Sequence, residues 1–343
     1  MDNRLNDLSV SEQPNLTLGH IILDDTDYQW EPDILSRVTT CLTLYLQPVI
    51  CVFGVLGNLI SFFVFSSAKM RTISSNIYLA GLSASNSAFL LALFVVWLEI
   101  TGVRLIHQEG WCQAVIYTSY VCSFLSVWLI VCIAIENYII TFHLSRASKL
   151  CTVSRTFLVV IGLSVFSLLL YDFALWSTKI VVFNSTSYCI VPEQYGTVVA
   201  VFTIVDIVVT LVLPSIVLMI LIIAVFVKNV SHLRHPRPNI RHTTLSRKER
   251  SLLRVTRLLF VISVSYLLLT LPSHVNKLRH LFTTEMSVSI SERAVQHLFQ
   301  LLYYASFSCN FIYYLIWGRN FREFFRNWYI LFKKKEKCRI SCC

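Results

Sequence analysis

Inside or just beyond stretches of chain that are otherwise uncharged stand a few polar side chains: Asp206, His274, Lys277, His297 and Gln300, with Glu99 closing the second stretch and Gln113 opening the third. Tyr117 and Tyr120 follow about one and two helical turns into that third stretch. An ionisable group at the centre of an apolar span costs about 2.5–3.5 kcal/mol, so each is a candidate for ligand recognition. Asp206 lies about two turns before Pro214, and His274 and Lys277 closely follow Pro272. Two readings stand for Asp206: ligand contact, or pairing with a neighbouring helix or with Lys277. His274 reads as a satisfied interior histidine or as a specific contact, Glu99 as a contact or an interface residue, and the tyrosines as packing or recognition. Catalysis would need His, Asp or Glu clustered at one depth, or a zinc-spaced His-Glu-x-x-His. Neither pattern occurs, so the chemistry expected is binding, with no enzyme activity, metal or cofactor.

The elements that must carry these residues are seven apolar runs. They cover 41–67, 74–98, 111–135, 156–176, 195–227, 258–275 and 294–318. A helix needs roughly 20 apolar residues to cross the hydrocarbon core. Hydrophobic residues are 55% of the chain and charged residues 14%, against about 25% charge in a soluble domain. The fold expected is an all-α seven-helix membrane bundle over 41–318. It is flanked by a flexible N-terminal segment, 1–40, and by an amphipathic eighth helix with a short tail, 319–343. Acids gather before the first run, and bases gather after it, between runs three and four, between five and six, and after seven. Basic short loops stay cytoplasmic. The N-terminus is therefore expected outside, the C-terminus inside, and the chain in the plasma membrane. The net charge of +10 reads as this cytoplasmic and lipid-facing rim rather than as a nucleic-acid surface. The polar, acidic first 30 residues resemble no cleavable signal, so the first run is expected to direct insertion.

Cys112 and Cys189 both fall on the expected oxidising side, where a bridge is chemically permitted. It would tie the loop between runs four and five over the outer end of run three. Asn15 and Asn184 begin glycosylation triplets on that side. Cys338, Cys342 and Cys343 end the chain beside a lysine-rich cluster and are candidate palmitoylation sites, with unmodified thiols as the alternative. Phe321, Phe324, Phe325, Trp328, Leu331 and Phe332 recur at helical spacing among bases, as in a helix lying on the inner membrane face.

Together with these features, a series of local motifs resembles the rhodopsin-like G-protein-coupled receptors. Gly57-Asn58 resembles that family's first-helix pair, and Asn76-Ile77-Tyr78-Leu79 with Leu82 to Asn86 resembles its second helix. Pro214 and Pro272 match the prolines of helices five and six. Asn310-Phe311-Ile312-Tyr313-Tyr314 resembles Asn-Pro-x-x-Tyr, with phenylalanine in the proline position. The resemblance implies partners on the cytoplasmic face, a heterotrimeric G protein and, as a second candidate, arrestin. It also implies an activation switch at Asn58, Asn86, Glu136, Asn137, Tyr138, Pro214, Thr270, Pro272, Asn310 and Tyr314. Several positions depart from the pattern. Asn86 stands where the family carries a sodium-binding aspartate. Glu136-Asn137-Tyr138 lacks the family arginine, and Thr270 replaces the helix-six tryptophan. One expectation follows: Glu136 pairs with Arg254 or Arg257 instead.

On the outer side, no acid lies near Ser119, which disfavours a monoamine ligand. No lysine lies in the seventh run, which disfavours retinal. The acidic surroundings favour a cationic ligand, such as a neuropeptide with an arginine or an amidated end. The alternatives are a receptor for a small molecule or odorant and, in a different class, a polytopic transporter. Against the transporter, the two halves show no repeat. The basic loop 229–250 is expected to meet anionic lipid and the transducer.

Overall fold

The computed structural model describes residues 34–183, 186–234, 247–282, 290–319 and 321–326. The helices are α1 (Ile34–Phe65), α2 (Ser74–Ile100), α3 (Trp111–Phe142), the short α4 (Leu144–Leu150), α5 (Val153–Leu170), α6 (Phe173–Ser177), α7 (Gly196–Asp206), α8 (Leu213–Arg234), α9 (Arg247–Phe282), α10 (Ile290–Ser308) and α11 (Asn310–Trp317). Two antiparallel strands, β1 (Lys179–Phe183) and β2 (Thr186–Ile190), form a hairpin between α6 and α7, with Ile180 opposite Cys189. Among the described residues, six helices are long and apolar enough to cross a membrane. The seventh crossing is divided into α10 and α11 at Cys309. Residues 321–326 form a further turn-and-a-half of helix.

The reason these helices bundle lies in what they bury. The inner faces hold large apolar side chains such as Leu79, Leu82, Phe124, Leu129 and Tyr314, none more than 1% exposed. The outer faces of α5 and α8 leave Phe157, Leu158, Ile161, Leu169, Ile216, Ile220 and Ile223 exposed. Water would not tolerate that continuous apolar girdle, whereas lipid does. Helical winding lets backbone groups bond within each crossing, as a bilayer demands.

Close helix approach is secured by small residues. A Cβ on Gly54 would lie 2.5 Å from Leu90 and 2.9 Å from Ser308, and one on Gly57 would lie 2.8 Å from Phe311. Phe311, the residue in the proline position, thus packs its ring base into the notch left by Gly57. Fully buried Asn58 donates to the carbonyls of Gly54 (2.8 Å) and Phe307 (2.9 Å), which fastens α1 to α10.

Two crossings are irregular for identifiable reasons. Pro214 has no N–H to continue the ladder, and six residues before α8, Ile207–Val212, wind as a π-helix. There Trp128 of α3 donates to the carbonyl of Val209 at 3.2 Å. The fourth crossing breaks at Tyr171-Asp172, between α5 and α6. Downstream of α11, Arg322 donates to the carbonyls of Leu315 (2.9 Å) and Ile316 and so caps that helix's open end. Phe321 turns inward against Phe65, Tyr314 and Phe311, as the amphipathic spacing predicts. Trp328, Leu331 and Phe332 lie outside the described residues.

Candidate functional site

The π-helical turn and the α5–α6 break converge on one polar group. Tyr171, 1% exposed at the end of α5, donates its hydroxyl to Oδ1 of Asp206 at 2.6 Å. That length is typical of a hydroxyl bound to a carboxylate. The break after Leu170 releases Tyr171 from the α5 helix and lets its ring stack on Tyr120 of α3, with centroids 5.3 Å apart. From α9, Lys277 reaches into the electrostatic field of Asp206 and sets its ammonium over the Tyr303 ring, 5.2 Å from the centroid. His274, 6% exposed, lies edge-on to the same ring at 6.0 Å. Tyr303 is itself held by a 2.7 Å hydrogen bond between its hydroxyl and Ser123 of α3.

Four of the eight candidate ligand contacts, Asp206, Tyr120, His274 and Lys277, therefore share one cluster. Asp206 takes the pairing with a neighbouring helix, through Tyr171. Tyr171 and Ser123 carry no sequence signal beyond being polar groups in apolar runs. Gln300 lies against Tyr304, one turn above Tyr303. Half-buried His297 has no described contact with the cluster.

Glu99 and Gln113 lie apart from this cluster, at the outer ends of α2 and α3. Glu99 binds Nε2 of His107, and Nδ1 of His107 accepts the N–H of Cys189 at 3.0 Å. An acceptor Nδ1 is unprotonated, so the hydrogen sits on Nε2 and points to the Glu99 carboxylate. His107 thereby pins β2 to the end of α2. Gln113 accepts the N–H of Gly110 at 3.0 Å and donates to the carbonyl of Thr178 at 3.2 Å. Gly110, with φ +86°, makes the turn into α3 that other side chains resist. The disulfide Cys112–Cys189 joins the same hairpin to the start of α3, with Cα atoms 5.8 Å apart. Three ties thus hold the β1–β2 hairpin and the residue leading into it, Thr178, against the outer ends of α2 and α3.

At the cytoplasmic end, Glu136 is 4% exposed and accepts from Ser74 of α2, with Ser75 and Cys151 alongside. Arg257 is exposed and makes no ion pair with it, and the Arg254 side chain lies outside the described residues. The expected pairing with Arg257 is thus replaced by a hydroxyl on α2, because Glu136 points across α3 toward α2 rather than toward α9. Asn137 is 2% exposed, and its Oδ1 meets no donor among the described residues. Tyr138 stacks on Phe142. Asn86 accepts from Ser126 at 2.7 Å, an amide–hydroxyl link where the resembled family has a charge. Thr270, fully buried, donates to the Tyr266 carbonyl two residues before Pro272. Asn310 begins α11, and Tyr314 is wholly enclosed. Asn15, Asn184, Cys338, Cys342 and Cys343 lie outside the described residues.

The family described as 7 transmembrane receptor (rhodopsin family) matches residues 57–314. Similar curated proteins include the somatostatin receptor type 4 of Rattus norvegicus, 25% identical over 82% of this chain and 71% of that receptor. The somatostatin receptor type 2 of Sus scrofa is 24% identical over 38% of this chain and 35% of its own length. The B1 bradykinin receptor of Macaca fascicularis is 31% identical over 35% of this chain and 33% of its own. For the first and third of the receptors matched, both of somatostatin type 2, the chain spans only about a third of their length.

Proposed function

This chain belongs to the rhodopsin family of seven-transmembrane receptors, and from that premise we propose that it is a plasma-membrane receptor for an extracellular peptide that signals through heterotrimeric G proteins. The observation that carries this reading is the enclosed group Asp206, Tyr171, Tyr120, Lys277 and His274 beneath a hairpin tied down three times. Buried charge of this kind is expensive and is kept where a ligand uses it. A hairpin fixed along one side of the mouth gives an extended chain an edge to lie against. The similar receptors are named for somatostatin and bradykinin, both peptides, which supports a peptide over a monoamine. Arrestin is the second cytoplasmic partner of this reading.

Signalling without an arginine at position 137 is part of the proposal. Glu136 is bound by Ser74, so its contact runs from α3 to α2. The test is expression of the full chain in cells carrying G-protein dissociation and arrestin sensors, challenged with a peptide library. A saturable G-protein response that Asp206→Ala abolishes without loss of surface expression is expected. A substrate-driven current in cells lacking G proteins, with no sensor response, would replace the receptor by a transporter.

A further inference from the structure

The charges in the central cluster are not equally satisfied. Asp206 holds a donor, the Tyr171 hydroxyl, and lies in the field of Lys277. The Lys277 ammonium carries three N–H donors, yet among the described residues it rests only on an aromatic face and has no carboxylate within 4.0 Å. Nδ1 of His274, beside it, is buried and likewise has no partner among the described residues. Both groups contact one ring, Tyr303, the ammonium over its face and the imidazole edge-on, and Ser123 holds that ring in place. Lys277 and His274 stand one turn apart on α9, which leaves two nitrogens, unmet among the described residues, beside one held aromatic ring.

We propose that Lys277 and His274 form an anion-binding corner that takes a carboxylate of the ligand. This deepens the peptide-receptor reading and rests on it for the identity of the carboxylate's bearer. One carboxylate oxygen would accept from the Lys277 ammonium and the other from Nδ1–H of His274, while the apolar part of the same residue covers Tyr303. Asp206 shares the field of Lys277, so the cluster favours a singly charged group over a phosphate or a diacid. A peptide with a free C-terminal carboxyl group meets this description, and so does a peptide with one acidic side chain. The inference shifts the charge preference from the cationic or amidated end that the chain's acids suggest. That end would have to compete with Tyr171 and Lys277 for Asp206.

The experiment uses the full chain in lipid nanodiscs. The probes are pools of random octapeptides with free C-terminal carboxylates, the same pools amidated, matched pools without Asp or Glu, and a panel of small carboxylic acids with their primary amides. Retention is measured on the unaltered chain, on Lys277→Met and on Lys277→Arg. Enrichment of free-acid over amidated peptides by about tenfold or more, lost in Lys277→Met and kept in Lys277→Arg, supports the inference. Equivalent dependence on an internal Asp or Glu supports it with a side chain as the source. Retention of peptides regardless of any carboxylate overturns the anion corner while leaving the peptide receptor in place. Retention of small acids alone, dependent on Lys277, keeps the corner and removes the peptide. Absence of carboxylate preference in every pool overturns the corner.

Discussion

Replacing Tyr171 by phenylalanine tests whether the bond to Asp206 organises the outer half of the bundle. The change keeps the ring that stacks on Tyr120 and meets Phe124 edge to face, and removes one oxygen. What is lost is a 2.6 Å bond to a carboxylate from a tyrosine 1% exposed. Hydrogen bonds to charged groups contribute about 1.5–3 kcal/mol. Interhelical hydrogen bonds in membrane proteins average only about 0.6 kcal/mol and reach about 1.7. Burial and the charged acceptor place this pair near the top of the membrane range, at about 1.5 kcal/mol. The assay is a double-mutant cycle of Tyr171→Phe and Asp206→Ala, read by reversible unfolding in mixed micelles. If the bond is the coupling, the double variant is less destabilised than the sum of the singles by about 1.5 kcal/mol. Additivity within about 0.5 kcal/mol would refute the reasoning, since each single change would then act through packing alone.

Other substitutions probe the remaining ties. Ser74→Ala and Glu136→Ala are expected to be non-additive, whereas Glu136→Arg with Arg257→Glu should show simple addition; rescue by that reversal would restore the arginine pairing that the structure lacks. His107→Phe leaves the Cys189 N–H and the Glu99 carboxylate unmatched and should cost about 1–3 kcal/mol in thermal stability, with the disulfide still formed by mass spectrometry. Gly54→Ala should cost about 1–3 kcal/mol by overpacking. Gly162→Ala, where a Cβ meets nothing within 4 Å, should be neutral or stabilise the chain by about 0.4–1 kcal/mol; equal effects of the two would contradict the close α1 contacts.

The bundle itself was legible because crossing a membrane writes directly into composition: length, apolarity and the sidedness of bases each leave a local mark. Cys112 and Cys189 were legible as a permitted bridge, and Phe321, Phe324 and Phe325 as one face of a helix. Asp206, His274, Lys277 and Tyr120 were identifiable singly, because polarity inside an apolar run is itself a signal. Their assembly into one site was not. Tyr171 gave no hint that it binds Asp206, 35 positions away. That Glu99 and Gln113 also hold the hairpin and the α3 cap had no mark in the sequence. Charge alone points Glu136 to Arg254 or Arg257 on α9, whereas among the described residues it is the Ser74 hydroxyl on α2 that binds it and Arg257 does not.

What residue order determined alone is therefore the number of crossings, their sidedness and the inventory of costly polar groups. What only tertiary structure decided is which groups meet. The rotation of each helix about its axis, the π-helical turn before Pro214 and the break after Leu170 set the directions of side chains on five different elements. Those rotations come from packing along the whole length of the bundle, through notches such as Gly54 and Gly57. A turn of one residue, about 100° in a helix, would aim Asp206 or Glu136 at a different neighbour, and no local run of residues records that angle.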